Sequence, residues 1–352
     1  MRIARRSLGL SALALTAALA ACSSSTDDAP AGGSAGDASD GGGTTALPTQ
    51  DDVFPVTVPH AFGETTVPTK PERIVSLAWA NHEVPLALGV TPVAISLTTW
   101  GDDDDNGILP WTEQKLAELG AQAPILLDDS TSVPFEQVAD AAPDVILASY
   151  SGLTQEDYDT LTKIAPVIAY PEVAWGTSLE DMITLNSAAI GLAGSGLALI
   201  EDLRAQVQAA LEAHAALDGK KILFAYLDAA DLSQVGFYTT HDPRAGFLQG
   251  VGLPLPSIVE EESAGTTEFY VTVSSEEAQR FEDVDVLVTY GDDPAMLQTL
   301  QADPLLSKIP AIAAAAVAIL PTGPLAASAN PTPLSIPWGI GDYFDALAGA
   351  VR

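Results

Sequence analysis

The feature that most constrains this sequence is a stretch of about forty residues, Ser178 to Leu217. It contains no proline and repeats apolar residues at helical spacing: Leu179, Met182, Ile183, Leu185, Ile190, Leu197, Ile200, Leu203, Val207 and Leu211. Ser178 with Asp181 forms a capping box, and Gly219 after Asp218 is a stop signal. The stretch predicts one very long helix, with Gly191–Gly196 as the place for a kink. The "GLAGSG" run at that point lacks a preceding strand, which argues against a nucleotide-binding glycine loop.

On either side of this stretch, short β-branched runs alternate with helical ones. Strands are expected at Arg73–Ala78, Pro92–Leu97, Asp144–Ser149 and Val167–Tyr170 before it, and at Lys221–Leu227, Gln234–Tyr238, Val286–Tyr290 and Val317–Leu320 after it. Uninterrupted apolar strands between helices imply a parallel sheet covered on both faces. The fold class is therefore α/β, with two Rossmann-like lobes built on central, mostly parallel sheets and joined by one long α-helix. The halves echo each other: "FEQVADAAPDVILASY" (Phe135–Tyr150) and "EEAQRFEDVDVLVTY" (Glu276–Tyr290) each place a Glu at a helix start, an Asp eight residues later and an apolar strand ending in Tyr.

The first 22 residues, "MRIARRSLGLSALALTAALAAC", have a basic start, an apolar run from Leu8 to Leu19 and then small residues, the layout of a secretory signal. Cys22, the chain's one cysteine, follows directly and resembles the lipidated cysteine of a bacterial lipobox; Arg5-Arg6 leaves the export route open. Residues from 23 to about 50 are Ser, Thr, Gly, Ala and Asp, a composition that cannot bury a core. The expected organisation is a signal peptide over 1–21, a lipidated flexible tether over 22–52, an N-terminal lobe over 53–177, the linking helix over 178–218 and a C-terminal lobe over 219–352. Such a protein sits lipid-anchored, through acyl chains such as palmitate on Cys22, at the outer face of the cytoplasmic membrane.

Charge excludes several partners. With 47 Asp and Glu against 14 Lys and Arg, the formal net charge is −33. A surface this negative repels nucleic-acid phosphates and anionic lipid alike. A single cysteine rules out an intrachain disulfide and a multi-cysteine metal centre. Of the four histidines only His82 and His241 reach the expected cleft, too few for a zinc site.

The lipobox, the tether, "PERIVSLAWANHEVPLALGVTPVAISL" (Pro71–Leu97), the two Glu-plus-"PDVIL/VDVLV" units and the long central helix together resemble the helix-linked (class III) substrate-binding lipoproteins of bacterial ABC importers, which carry ferric siderophores, haem or cobalamin. The resemblance covers Val53 to Arg352. It implies two lobes with a ligand cleft between them, small opening motions and a monomer that hands its cargo to an ABC permease. It also implies that one surface Glu on each lobe pairs with permease arginines. Glu136 matches the first; Glu277 matches the second by its spacing to Asp285, with Glu276 as the neighbouring candidate.

Ligands in parallel sheets meet the loops after the strands' carboxyl ends. Those loops supply Trp79, Asn81, His82, Trp100, Trp111, Tyr150, Tyr226, Tyr238, Arg244, Tyr290 and Trp338, a set of flat, stiff walls for a bulky organic ligand. A ferric tris-catecholate is strongly anionic and calls for several cations, whereas only Arg244 falls in these loops. A near-neutral ferric hydroxamate fits better, with Arg244 donating to chelate oxygens; haem and cobalamin remain alternatives on the same fold. No resident cofactor is expected. One acidic stretch competes: Asp102, Asp104, Asn106 and Glu113 fall at positions 1, 3, 5 and 12 of a calcium-loop pattern, with Gly107 at 6. That stretch leaves a calcium-binding surface module as a rival. No serine-nucleophile turn is set between a strand and a helix and no P-loop is present, so an enzyme is not expected.

Overall fold

The computed structural model describes residues 46–227 and 231–352. The leader, Cys22 and most of the expected tether lie outside the described residues. Among the described residues there are twelve strands, and no helix is long and apolar enough to cross a membrane.

A hairpin comes first. β1 (Val56–His60) pairs antiparallel with β2 (Gly63–Val67), Val56 opposite Val67. Its inward valines, Val56, Val58 and Val67, are buried on the first lobe. The N-terminal sheet then comprises β3 (Ile74–Ser76), β4 (Ala94–Ser96), β5 (Ile125–Leu127), β6 (Val145–Leu147) and β7 (Val167–Ile168). All its pairs are parallel, in the order β5-β4-β3-β6-β7. β3, β4 and β6 are buried at every position, as strands covered on both faces must be.

The C-terminal sheet comprises β8 (Ile222–Tyr226), β9 (Gln234–Tyr238), β10 (Tyr270–Ser274), β11 (Val286–Tyr290) and β12 (Val317–Leu320), in the order β10-β9-β8-β11-β12. β8, β11 and β12 run parallel, while β9 is antiparallel to both of its neighbours. The connection from Tyr226 to Gln234 is too short for the crossover of a dozen or more residues that a parallel pair requires.

The linker departs from the single long rod expected over 178–218. It is two helices, Leu179–Ala189 and Ala193–Ala213. Ser178 caps the first, its Oγ accepting from the Asp181 N–H at 3.0 Å. The helices fold back on each other: Arg204 on the second clasps Glu180 on the first with N–O distances of 2.6 and 2.7 Å, and a Cβ on Gly196 would collide with Ser187. The turn falls at Gly191, whose φ of +74° favours glycine. The first helix packs with the N-terminal lobe around Leu185, Ala188 and Ala189. The second contributes Ile200, Leu203 and Val207 to a core shared with Phe224, Val288 and Phe344 of the C-terminal lobe. The spanning rod is thus the 21-residue helix, about 30 Å long at 1.5 Å per residue.

The glycines of "GLAGSG" serve this turn. Gly191 lies under the Phe54 ring, and Gly194 under the backbone of Thr49 and Gln50. The last residues of the expected tether are correspondingly docked. Asp51 accepts from the Ser195 N–H at 2.9 Å and from its hydroxyl at 2.6 Å, and the Asp52 N–H donates to the Gly191 carbonyl at 2.8 Å. The Ser195 donors hold the Asp51 carboxyl below its ordinary range.

Candidate ligand cleft

The carboxyl ends of β3, β4 and β6 open on a cleft of about 620 Å³. This is where the order of the N-terminal sheet reverses, between β3 and its two neighbours, the place where open α/β sheets receive ligands. Three indoles line it: Trp79 after β3, Trp100 after β4, and Trp175 after β7. Ser96, Thr98, Thr99, Ser130 and Ser151 share the lining, with the carboxylates of Asp129 and Asp157. Trp79 Nε1 is buried with no acceptor among the described residues. Asp129 ties two loops together, accepting from the Ala78 N–H at 2.8 Å and from the Ser96 hydroxyl at 2.5 Å.

In the C-terminal lobe Arg244, at the start of the helix Pro243–Gly250, reaches the rim of this cleft through Tyr290, whose ring meets Trp100. The guanidinium lies 4.4 Å over the Tyr238 ring. Nε donates to the Tyr290 hydroxyl at 3.0 Å, and Nη1 donates to Asp242 at 2.9 and 3.1 Å. Among the described residues, the side-chain contacts that join the lobes here include an aromatic pair and a hydrogen bond. The Trp100 and Tyr290 rings meet edge to face at 5.3 Å, and Asn330 Nδ2 donates to the Tyr150 hydroxyl at 3.2 Å. Burial pushes the Tyr290 phenol up to about 12 and raises that of Tyr150 further. Both are neutral hydroxyls at physiological pH, so the charged groups here are the Arg244–Asp242 pair and the cleft carboxylates Asp129 and Asp157.

A model of the periplasmic binding protein family matches residues 74–323. The chain belongs to that family. Among solved structures, PiaA of Streptococcus pneumoniae TIGR4 in complex with ferrichrome is 46% identical, with a TM-score of 0.80 over 84% of this chain and 98% of that one. A periplasmic solute binding protein of Mycobacterium smegmatis strain MC2 155 is 27% identical, with a TM-score of 0.67 over the same shares. The probable siderophore-binding lipoprotein YfiY of Bacillus subtilis strain 168 is 31% identical over 153 residues, 43% of each chain. The present chain therefore covers less than half the length of that curated relative.

Not every residue predicted for the cleft of this periplasmic binding protein lies in it. Asn81 is fully buried and acts as a knot. Its Nδ2 donates to the Leu77 and Tyr150 carbonyls, and its Oδ1 accepts from the Ser149 hydroxyl, the Tyr150 N–H and Asn186 Nδ2 of the linker. It shapes the cleft floor without facing it. His82 is buried against the Thr112 hydroxyl at 3.2 Å, and burial pushes its pKa down to about 4, so the imidazole is neutral packing.

Trp111 and Trp338 belong to an apolar seam between the lobes, their rings 5.1 Å apart, together with Leu86, Leu109 and Leu334. Behind that seam is Glu83, fully buried. It accepts from Trp111 Nε1 at 2.7 Å and from the Leu334 N–H at 2.9 Å, at the head of the helix Ser335–Ala350. Burial pushes its carboxyl up to about 7. Tyr226 ends β8, half exposed.

Trp175 was not among the predicted residues. It reaches the cleft because its φ of +60° turns the chain, its N–H donates to the Ser151 carbonyl at 2.9 Å, and its indole fills the space left by the missing side chain of Gly152. A second cavity, about 800 Å³, lies between the linker helices and Thr240–Val251 and has none of the predicted cleft aromatics in its walls.

The acidic loop after β4 binds itself. Asp102 accepts from the Gly107 N–H at 2.7 Å, Asp104 from the Asn106 N–H at 3.3 Å, and Asn106 Nδ2 donates to Glu113 at 2.6 Å. Positions 1, 3, 5 and 12 of the calcium pattern are thus engaged in hydrogen bonds within the loop.

The two helix-start carboxylates differ in surroundings. Glu136 is exposed in the first turn of Phe135–Asp140. In the other lobe, Glu276 is exposed at the equivalent second position of the 3-10 helix Ser275–Phe281, whereas Glu277 lies 3.4 Å from Arg280. Non-helical backbone at Glu277 adds one residue between helix and strand, so spacing to the Asp and position on the helix select different glutamates.

Proposed function

We propose that this protein is an extracytoplasmic solute-binding lipoprotein that captures a ferric siderophore of the hydroxamate type between its lobes and delivers it to an ABC permease. The observation that carries this reading is the make-up of the cleft: indole walls from Trp79, Trp100 and Trp175 with hydroxyl side chains and the carboxylates Asp129 and Asp157, no cation in the lining among the described residues, and Arg244 at the rim behind Tyr290. A near-neutral metal chelate with a ring of oxygens suits stiff apolar walls and one strong donor, whereas a polyanion asks for several. The similarity to PiaA, solved with ferrichrome, supports the same class.

Cys22 is the lipid attachment point in this reading. Glu136 and one of Glu276 and Glu277 meet permease arginines; position on the helix and exposure favour Glu276. No chemistry on the ligand is involved.

The test is titration of the full chain by tryptophan quenching. A ferric tris-hydroxamate quenches saturably, calcium does not, and Arg244→Ala weakens the chelate by about 100-fold, the range for loss of a charge-assisted hydrogen bond in a desolvated site. Saturable binding of haem or a corrinoid alone would move the assignment to those ligands. Absence of quenching by all three would overturn it.

A further inference from the structure

Resting on the reading of the cleft as a ferric-chelate site, we propose that Asp242 is a specificity-determining positioning residue: it cancels the charge of Arg244 while aiming it, so that the cleft accepts neutral ferric chelates and rejects anionic ones.

Asp242 is 2% exposed and caps the helix that carries Arg244. Its Oδ1 accepts the Arg244 backbone N–H at 2.8 Å and Nη1 at 3.1 Å, and its Oδ2 accepts Nη1 at 2.9 Å. Among the described residues every hydrogen-bond partner of the carboxylate is thus an N–H donor of Arg244; burial raises its pKa and the guanidinium at 2.9 Å opposes that shift, favouring the ionised acceptor. The aspartate beside it also holds the guanidinium charged.

With Nη1 on Asp242 and Nε on Tyr290, Nη2 is left without an acceptor among the described residues. The arginine therefore presents one directed donor at the cleft rim and, paired with Asp242, almost no net charge. The tyrosines around it, Tyr150, Tyr238 and Tyr290, are neutral. A chelate carrying three negative charges would meet the field of Asp242 behind Arg244 in addition to that of the cleft's own Asp129 and Asp157, which every Asp242 variant shares, while a neutral one would feel mainly the donor. The strongly acidic surface adds repulsion of its own, but that contribution is common to any variants compared and cancels in a ratio.

The test uses the full chain, wild type and the variants Asp242→Asn and Asp242→Glu, titrated by tryptophan quenching with ferrichrome, a neutral ferric tris-hydroxamate, and with a synthetic hexadentate ferric tris-catecholate of charge −3. Thermal unfolding of each variant checks that it is folded. In Asp242→Asn the ratio of catecholate to ferrichrome affinity is expected to rise by about tenfold or more, with the gain shrinking as ionic strength rises; Asp242→Glu, which keeps the charge, stays close to the wild-type ratio. A lost helix cap or a loosened Arg244 would weaken both chelates together and leave the ratio in place. A folded Asp242→Asn with an unchanged ratio, or Asp242→Glu shifting as far as Asp242→Asn, overturns the proposal while ferrichrome binding by the wild type leaves the cleft reading standing. A wild type that binds neither chelate removes that reading and this proposal with it.

Discussion

Asp144 and Asp285 perform the same task in the two lobes. Asp144 stands just before β6, and its Oδ2 accepts the N–H groups of Glu72 and Arg73, both at 2.9 Å, at the entry to β3. Asp285 stands just before β11, and its Oδ2 accepts the Lys221 N–H at 2.9 Å, at the entry to β8. Each stitches the start of one parallel strand to the start of its neighbour, adding a side-chain acceptor beside the backbone bonds Asp144 N–H to Arg73 carbonyl and Asp285 N–H to Lys221 carbonyl. The echo between "PDVIL" and "VDVLV" therefore has a mechanical origin.

Removing either stitch leaves partly exposed N–H groups that water can reach. Asp144→Ala and Asp285→Ala should each lower stability by about 1 kcal/mol, and the double variant by about the sum, because the sites share no partner. Urea unfolding of the three variants measures both quantities.

Glu83 makes stability depend on pH in a definite direction. Its carboxyl is raised from an ordinary value of 4.5 to about 7 in the folded protein. The folded state thus binds a proton that the unfolded chain has released. The contribution is fully present below pH 4.5 and is lost as pH rises to about 7, a change of about 3 kcal/mol. General repulsion among surface carboxylates slopes the same way, so the informative quantity is the difference between wild type and Glu83→Gln. Denaturant unfolding from pH 4.5 to 7.5 should show a flatter profile for the variant.

Asn81 joins three segments through buried hydrogen bonds, and truncation strands several partners at once. Asn81→Ala should cost about 3 kcal/mol and weaken ligand binding, since the Tyr150 backbone and Asn186 both lose an acceptor. Unfolding midpoints and chelate titration on the same preparation check the two effects.

Gly152 has its own prediction. A methyl group there would overlap the Trp175 indole, so Gly152→Ala should displace that wall of the cleft. The expected result is a shifted tryptophan emission maximum and a chelate affinity lowered by about tenfold or more, with a loss of stability of about 1–3 kcal/mol.

Much of the fold was legible because its strands announce themselves. Gln234–Tyr238, Val286–Tyr290 and Val317–Leu320 are rich in apolar or β-branched residues and end at Thr239, Gly291 and Pro321, and the structure has strands over those spans. β5 and β10 gave no such signal: Ile125 is exposed, and β10 is an edge strand with only Val273 fully buried. The fold-back of the linker was hidden because its apolar period runs on through Ile190 and Leu192. What breaks it is a positive φ at Gly191 and a covering Phe54, both matters of tertiary contact.

In the cleft, loop position identified Trp79, Trp100, Tyr150, Tyr238, Arg244 and Tyr290, which the structure brings together. The same rule also collected Trp111 and Trp338, because seam and cleft are both built from loops at strand ends. Only a partner such as the Glu83 carboxylate, which takes the Trp111 N–H, separates the two uses.

The docking of Asp51 on Ser195 governs where force enters the molecule. Any pull transmitted along the chain from residues before Leu47 arrives at the elbow of the linker, the fulcrum of the pair of jaws, and exerts little leverage on either of them.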